Sequence, residues 1–197
     1  MDNRTITEQG HAALPDIITT LAQAFQDDPS FIWLIPDATV RRVRLTAFFK
    51  LVANEDLAAG KALLSPGGEA VTLWRAPGRQ KEMPLGTLRT NLTFLTIFRS
   101  AILRADTLGK ALAAHHPSGR HCYLRYIGVR PEAQGKGWGG LALRAGIEMA
   151  AADGLPIYLE TSKDSNVKLY RRYGFEVIEE WDVPGGGPHF WSMMRGA

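Results

Sequence analysis

Gln134-Gly135-Lys136-Gly137-Trp138-Gly139-Gly140 stands between the apolar run Tyr123 to Val129 and a segment, Leu141 to Ala152, that is apolar nearly all round apart from Arg144 and Glu148. The run before it predicts a strand and the segment after it a buried helix. A glycine string at such a junction gathers unhindered backbone N–H groups at the positive end of a helix dipole, where a phosphate is stabilised. Gly135 to Gly140 also satisfies the dinucleotide fingerprint G-x-G-x-x-G, and Glu160 stands 20 residues after Gly140, near the place of a ribose-binding acid. Two features oppose a nicotinamide site: five residues separate Val129 from Gly135, and only 37 follow Glu160, too few for the second half of a doubly wound sheet.

Downstream, Pro156 to Thr161 reads as another strand, and Asn166 to Tyr173 as a helix closed by Gly174. Phe175 to Trp181 and His189 to Met194 are two further strands around Pro184-Gly185-Gly186-Gly187-Pro188. Upstream, Lys61 to Ser65 and Ala70 to Arg75 flank Pro66-Gly67-Gly68 and predict a hairpin. Two helices are expected before it. One opens at Pro15-Asp16 with Ile17, Leu21 and Phe25 on a single face; the other is capped at Pro36-Asp37 and carries Val40, Val43, Ala47 and Leu51. Thr5-Ile6-Thr7 is a candidate edge strand. The 45 residues between Arg75 and His121 are too many for a bare loop. There Leu88, Leu92, Leu95 and Ile102 fall in helical register, with a shorter helical piece near Leu108 to His115.

The 197 residues suit one core of ordinary size, so a single domain over 1–197 is expected. With 22% charged and 45% apolar residues, the composition excludes disordered, collagen-like and coiled-coil chains. Lys plus Arg number 23 against 20 Asp plus Glu, a balance too even for a nucleic-acid arm, and no nucleic-acid partner is expected. Arg41, Arg42 and Arg44, and Arg171 and Arg172, are expected on solvated helix faces. The single cysteine, Cys122, excludes an intramolecular disulfide and any Cys-rich metal site, and reads as a small buried hydrophobe in a strand. His11, His115, His116, His121 and His189 show no metal spacing, and no H-E-x-x-H, G-x-S-x-G or Walker string occurs. Neither a metal nor a serine nucleophile is expected. Met1 to Thr5 forms no apolar signal segment, and no uncharged run approaches the ~20 residues that cross a bilayer. A cytoplasmic protein without a membrane partner is the expectation.

Starting at Gln134, the string Gln134-Gly135-Lys136-Gly137-Trp138-Gly139 also fits Q/R-x-x-G-x-G/A. Ile127-Gly128-Val129-Arg130-Pro131 precedes it; Leu159-Glu160-Thr161-Ser162 with Asn166, then Leu169-Tyr170-Arg171-Arg172-Tyr173-Gly174-Phe175, then Gly187-Pro188 with Trp191 and Met193, follow it. In this order the motifs resemble the GNAT superfamily of N-acetyltransferases, and within it look most like the puromycin N-acetyltransferase type of subgroup. The resemblance covers about residues 121–195; earlier residues match loosely through Asp28-Pro29, Trp33, Pro36-Asp37 and Trp74. It implies an α/β fold with a central, splayed, mostly antiparallel mixed sheet flanked by helices. It also implies acetyl-CoA as co-substrate and direct attack by the amine of a small-molecule acceptor in a ternary complex. The rival readings are a non-catalytic acyl-CoA-binding sensor and an enzyme acetylating a protein or peptide amine.

Acetyl transfer needs a pyrophosphate site, a strand edge for pantetheine, an oxyanion donor and a way to deprotonate the amine. The turn Gln134, Gly135, Lys136, Gly137, Trp138, Gly139, Gly140 is the candidate for the first. Main-chain groups of Ile127 and Val129 would pair with pantetheine as an added strand does, the resemblance implying a bulge near Gly128 that splays this strand from the next. The Val129 N–H is the oxyanion candidate. The resemblance places Tyr170 beside the thioester sulfur; a phenol with a reference pKa of about 10 stays protonated at pH 7 and can donate to a departing thiolate. A core aromatic is the plain alternative. Asn166, one turn earlier, is a cofactor-binding candidate, with helix capping as its alternative. Glu160, a carboxylate in an otherwise apolar strand, is equally an amine-side base acting through water or a buried structural acid. Trp33, Trp74 and Trp191 are candidates for an acceptor cleft suited to an apolar amine, with core packing the competing reading.

Overall fold

The structure, a computed structural model, describes residues 4–78 and 88–197, with side chains in the second stretch described from Leu92 onward. Leu88, one of the residues read in helical register, therefore lies outside the described side chains. The chain opens on an edge strand, β1 (Thr7–Gln9), two residues beyond the start expected from Thr5-Ile6-Thr7. Helix α1 (Leu14–Ala24) follows, with Pro15 in its first turn, where no N–H is needed, and Ile17 and Leu21 fully buried on one face.

Three helices precede the first hairpin rather than two. The run Phe31 to Leu34 is itself helical: α2 (Pro29–Leu34) is capped by Asp28, whose carboxylate accepts the Ser30 N–H at 2.9 Å. Six residues are too short a window for a 3.6-residue period to show. Helix α3 (Ala38–Ala59) is capped by Asp37, which accepts the Val40 N–H at 2.8 Å. Its Arg41 is not on a solvated face. At 5% exposure the guanidinium donates to the carbonyls of Gln26, Ile35 and Pro36, at 2.7, 2.6 and 2.9 Å, and satisfies acceptors that lie just past the ends of α1 and α2. Arg42, Arg171 and Arg172 are exposed, as expected.

Strands β2 (Gly60–Leu64) and β3 (Ala70–Arg75) form the predicted hairpin, α4 (Leu88–Phe98) and α5 (Ile102–His115) fill the helical stretch, and β4 (Cys122–Val129) returns the chain to the sheet. Then come α6 (Trp138–Ala152), β5 (Ile157–Thr161), α7 (Asp164–Arg171) and the hairpin of β6 (Glu176–Asp182) with β7 (His189–Arg195). The sheet has seven strands in the order β1-β2-β3-β4-β5-β7-β6. All neighbours are antiparallel except β4 and β5. That parallel pair is joined only at Cys122 with Ile157 and Tyr123 with Tyr158, so the two strands diverge beyond Tyr123.

The sheet is covered on both faces. Helices α1 to α5 build one core around Phe48, Phe49, Leu73 and Phe98, while α6 and α7 build the other around Trp74, Leu143, Leu159 and Tyr170. The interruption in β4 is not at Gly128. Leu73 pairs with Tyr126 and Trp74 with Leu124, which makes Arg125 the extra residue of the bulge. Gly128 serves a different end: a β-carbon there would lie 3.0 Å from Leu21 Cδ2 and Ala24 Cβ, so its lack of side chain lets α1 approach the strand. Cys122 is buried in β4, and burial pushes its thiol pKa up.

Candidate functional site

The divergence of β4 and β5 opens a cavity of about 160 Å³ between the sheet and the α1–α5 side. Strand alternation supplies its floor. The N–H of Arg130 donates to the Glu69 carbonyl at 2.9 Å, and the ladder continues from there with Gly128 opposite Val71 and Tyr126 opposite Leu73. Gly128 and Tyr126 therefore bond to β3, and the main-chain groups of Ile127 and Val129 turn toward the unpaired edge. The Val129 carbonyl accepts from Gln134 Nε2 at 3.1 Å, tying the loop to the end of the strand.

The glycine turn has divided labour. Gly135 and Gly137 have φ of 73° and 86°, which a residue with a β-carbon adopts only under strain, and nothing lies within 4 Å of where that carbon would be. Gly139 and Gly140 instead allow close packing, against Val129 Cγ2 and the Tyr173 hydroxyl. Gly137 is the N-cap of α6 and no side chain caps that helix, so the N–H groups of Trp138, Gly139 and Gly140 face the open space beside the turn. Arg4 lies over the Trp138 ring, 5.4 Å from its centroid, and donates to the Lys136 carbonyl at 3.4 Å.

Tyr170, Asn166 and Glu160 meet at the cavity wall. Tyr170 comes from α7 and is 3% exposed; burial, reinforced by the charge of Asp28, raises its phenol well above the ordinary range, so it is protonated at neutral pH. Asn166 does not cap α7, a place held by Lys163; its amide donates to Thr161 Oγ1 at 3.2 Å. Glu160 points from β5 with its side chain 4% exposed, and its Oε1 makes no hydrogen bond. Around these groups stand Phe25, Phe31, Phe48, Phe94, Phe98 and Phe190, with Tyr123 and Tyr126.

The three tryptophans are elsewhere. Trp74 is 1% exposed on the α6 face of the sheet, its indole N–H donating to Thr72 Oγ1 at 2.8 Å. Trp191 packs on that same face and meets His189 edge-on at 4.5 Å. Trp33 packs between the α1–α5 core and the β6–β7 hairpin, under the Arg104 guanidinium at 5.7 Å. None of the three lines the cavity. In β7 it is Phe190, one residue from Trp191, that points into it, because side chains alternate faces along a strand.

Two charged groups of the cavity wall were not among the site residues expected from the sequence. Asp28 caps α2 while its other oxygen accepts from Ser162 at 3.4 Å, and burial raises its carboxyl above the ordinary value against the pull of Lys163 and the Ser30 N–H. Neither its helix cap nor its place beside Tyr170 was read from the sequence. Arg125 reaches the wall through the bulge. Burial opposes its charge, yet Asp56 Oδ1 at 2.7 Å holds the guanidinium above its usual range, and the same oxygen accepts from Arg75 Nε at 2.7 Å. Among the described residues no three His, Cys, Asp or Glu side chains converge as metal ligands, and no helix is long and apolar enough to cross a membrane.

Comparison with known proteins places this geometry in context. The sequence model of the Acetyltransferase (GNAT) family matches residues 72–175, just over half of the chain. An uncharacterized N-acetyltransferase of Schizosaccharomyces pombe is 27% identical over 167 residues, which span 79% of this chain and 68% of that protein. The crystal structure of a protein described as histone acetyltransferase HPA2 and related acetyltransferase, from Corynebacterium glutamicum, superposes with a TM-score of 0.75 at 27% identity, covering 99% of this chain and 97% of the other. Arylalkylamine N-acetyltransferase 2 of Aedes aegypti shares the fold, with a TM-score of 0.59 at 13% identity over 99% of each chain. Nothing in these matches singles out the puromycin N-acetyltransferase type.

Proposed function

We propose, from the premise that this chain belongs to the acetyltransferase (GNAT) family, that it acetylates the primary amine of a small molecule with an aromatic or similarly apolar body. The donor in this reading is acetyl-CoA, and the amine attacks directly within a ternary complex. The observation that carries the reading is the cavity itself, which Tyr170, Glu160 and Asp28 line together with six phenylalanines. A small amine with a flat apolar body fits that lining, since each buried aromatic contact adds favourable area and two carboxylates attract the ammonium end. A second cation on the same molecule would sit among phenyl rings without a partner.

The residues present suit the donor. Acetyl-CoA would supply the thioester carbonyl and a thiol leaving group. Backbone N–H groups at Gly135 to Gly140, at an uncapped helix start, suit its pyrophosphate. The outward main-chain groups of Ile127 and Val129 suit the pantetheine amides as a strand partner would. In this reading the Val129 N–H donates to the carbonyl oxygen as charge develops there, Asn166 holds the pantetheine arm, and the Tyr170 hydroxyl donates its proton to the departing sulfur and is reprotonated by the proton the nitrogen sheds as the amide forms.

Glu160 takes the amine proton in the same scheme. A free alkyl amine with a pKa of about 10 is almost wholly protonated at pH 7, so a proton acceptor is required before attack. Each Asp28 oxygen accepts a hydrogen bond, whereas Oε1 of Glu160 accepts none, so in this reading Glu160 takes the proton through water and Asp28 adds the charge that steers the ammonium.

Free-thiol release from acetyl-CoA across a panel of amines tests the proposal. The expected order is higher kcat/KM for 2-phenylethylamine than for spermidine or free amino acids. The reverse order would overturn the acceptor class, and acetyl-CoA binding without turnover on any amine or peptide would favour the sensor.

A further inference from the structure

A carboxylate 4% exposed that accepts a proton must pass it on before the next turnover. Tyr123 on β4 and Tyr158 on β5 both face Glu160, and burial together with its charge raises their phenols far above the ordinary range. They stay protonated and cannot accept. His116, just beyond the end of α5, can: its Nδ1 is 3.6 Å from Oε1 of Glu160, the oxygen without a hydrogen bond.

The neighbouring ring fixes which nitrogen of His116 is free. Nδ1 of His121 lies 3.1 Å from the Gly119 carbonyl oxygen, which can only accept, so His121 carries a proton there. Burial lowers the His121 pKa, which favours the neutral ring and leaves a lone pair on its Nε2. Nε2 of His116 is 3.0 Å from that lone pair and donates to it. A neutral His116 therefore turns an unprotonated Nδ1 toward Glu160. Tyr123 and Tyr158 stand edge-on to its ring, with centroids 5.0 and 4.9 Å away, and hold its plane.

We propose that His116 is the proton-relay partner of Glu160, held in the accepting tautomer by His121. The inference rests on the reading of Glu160 as the base. An N–H bond of the ammonium breaks as an O–H bond forms on Glu160; that O–H bond then breaks as Nδ1–H forms on His116. The Nδ1–H bond then breaks as the imidazolium, its side chain 12% exposed, gives that proton to water, and both residues regain their starting states. No electrons change hands.

The test is His116→Gln, which keeps polarity and approximate size but cannot relay a proton. Turnover with the best amine should fall at least about tenfold, with KM for acetyl-CoA and melting temperature held, and free imidazole should restore it in proportion to concentration without affecting wild type. Unchanged turnover, or a loss in a folded variant that imidazole does not recover, would overturn the relay. Should the variant unfold, His121→Phe decides: without the acceptor that holds the tautomer of His116, turnover should fall with KM for acetyl-CoA held, and unchanged turnover refutes the relay. Glu160→Gln separates the two failures. Full activity there removes the base and the relay together, whereas an inactive Glu160→Gln beside a fully active His116→Gln sinks the relay alone.

Discussion

The indole of Trp74 lies so close to the backbone of Gly146 that a β-carbon on the glycine would overlap the ring. Strand β3 and helix α6 are thereby locked together on the face of the sheet opposite the cavity. Gly146→Ala should lower stability by about 1–3 kcal/mol, because a rigid buried ring cannot yield as a flexible side chain would. Trp74→Phe should lower the melting temperature and leave KM for the amine unchanged. A raised KM with intact stability would return Trp74 to the acceptor site.

Gly137 is the position at which donor binding separates most cleanly from packing, since its φ of 86° excludes most side chains while the space around it is open. Gly137→Ala should cost about 1–2 kcal/mol in the left-handed region and weaken acetyl-CoA binding further. In wild type, acetyl-CoA at 100 times its dissociation constant should add about 2.7 kcal/mol of stability, with no response to NAD. Thermal melts of both proteins with both ligands measure this, and a shift with NAD alone would reverse the donor assignment.

Asp28 combines a structural and a chemical part that one substitution can pull apart. Asn caps a helix about as well as Asp, so Asp28→Asn keeps α2 capped. Burial raises the Asp28 carboxyl above its unfolded value of about 3.9, so its ionised form is penalised in the folded state. Stability is therefore fuller below that unfolded value and declines as pH rises through the folded one. At pH 7 the variant should melt no lower than wild type while KM for the amine rises, and the difference in melting should fade in acid. A lower melting temperature at pH 7 would contradict the argument.

Asp56 accepts from both Arg75 and Arg125 within the interior. Asp56→Ala takes away the carboxylate that these two guanidiniums share and should cost about 3–5 kcal/mol, measurable by urea titration. Asp56→Asn, which keeps an acceptor oxygen, should cost less. Equal losses would show that charge rather than hydrogen-bond geometry dominates there.

The part of the chain from Tyr123 onward was legible because each of its elements is bounded by glycine or proline and carries one clear period. The strand, glycine turn, helix and closing hairpin all appear within a few residues of expectation, although the helix is half-buried rather than enclosed. What failed was the assignment of faces. Strand β3 is buried at every position from Ala70 to Arg75, so no polar alternation tells which side Trp74 takes. The bulge at Arg125 has no glycine to mark it, and it alone decides that Tyr123, Arg125 and Tyr126 all reach the cavity wall. Asp28 showed itself in the sequence only through the loose Asp28-Pro29 match, because its neighbours Tyr170 and Ser162 are remote in sequence. The phenylalanine lining likewise joins α1 to α5 with β7, a convergence that only the fold creates.

The most direct measurement compares Tyr170→Phe with wild type, taking kcat for thiol release with the best amine and the dissociation constant of acetyl-CoA from calorimetry. If transfer takes place where β4 and β5 diverge, the hydroxyl matters only as charge builds on sulfur. Turnover should then fall about 10- to 1000-fold while acetyl-CoA affinity changes by no more than about threefold. Unchanged turnover in the variant would contradict the account and leave Tyr170 a core aromatic.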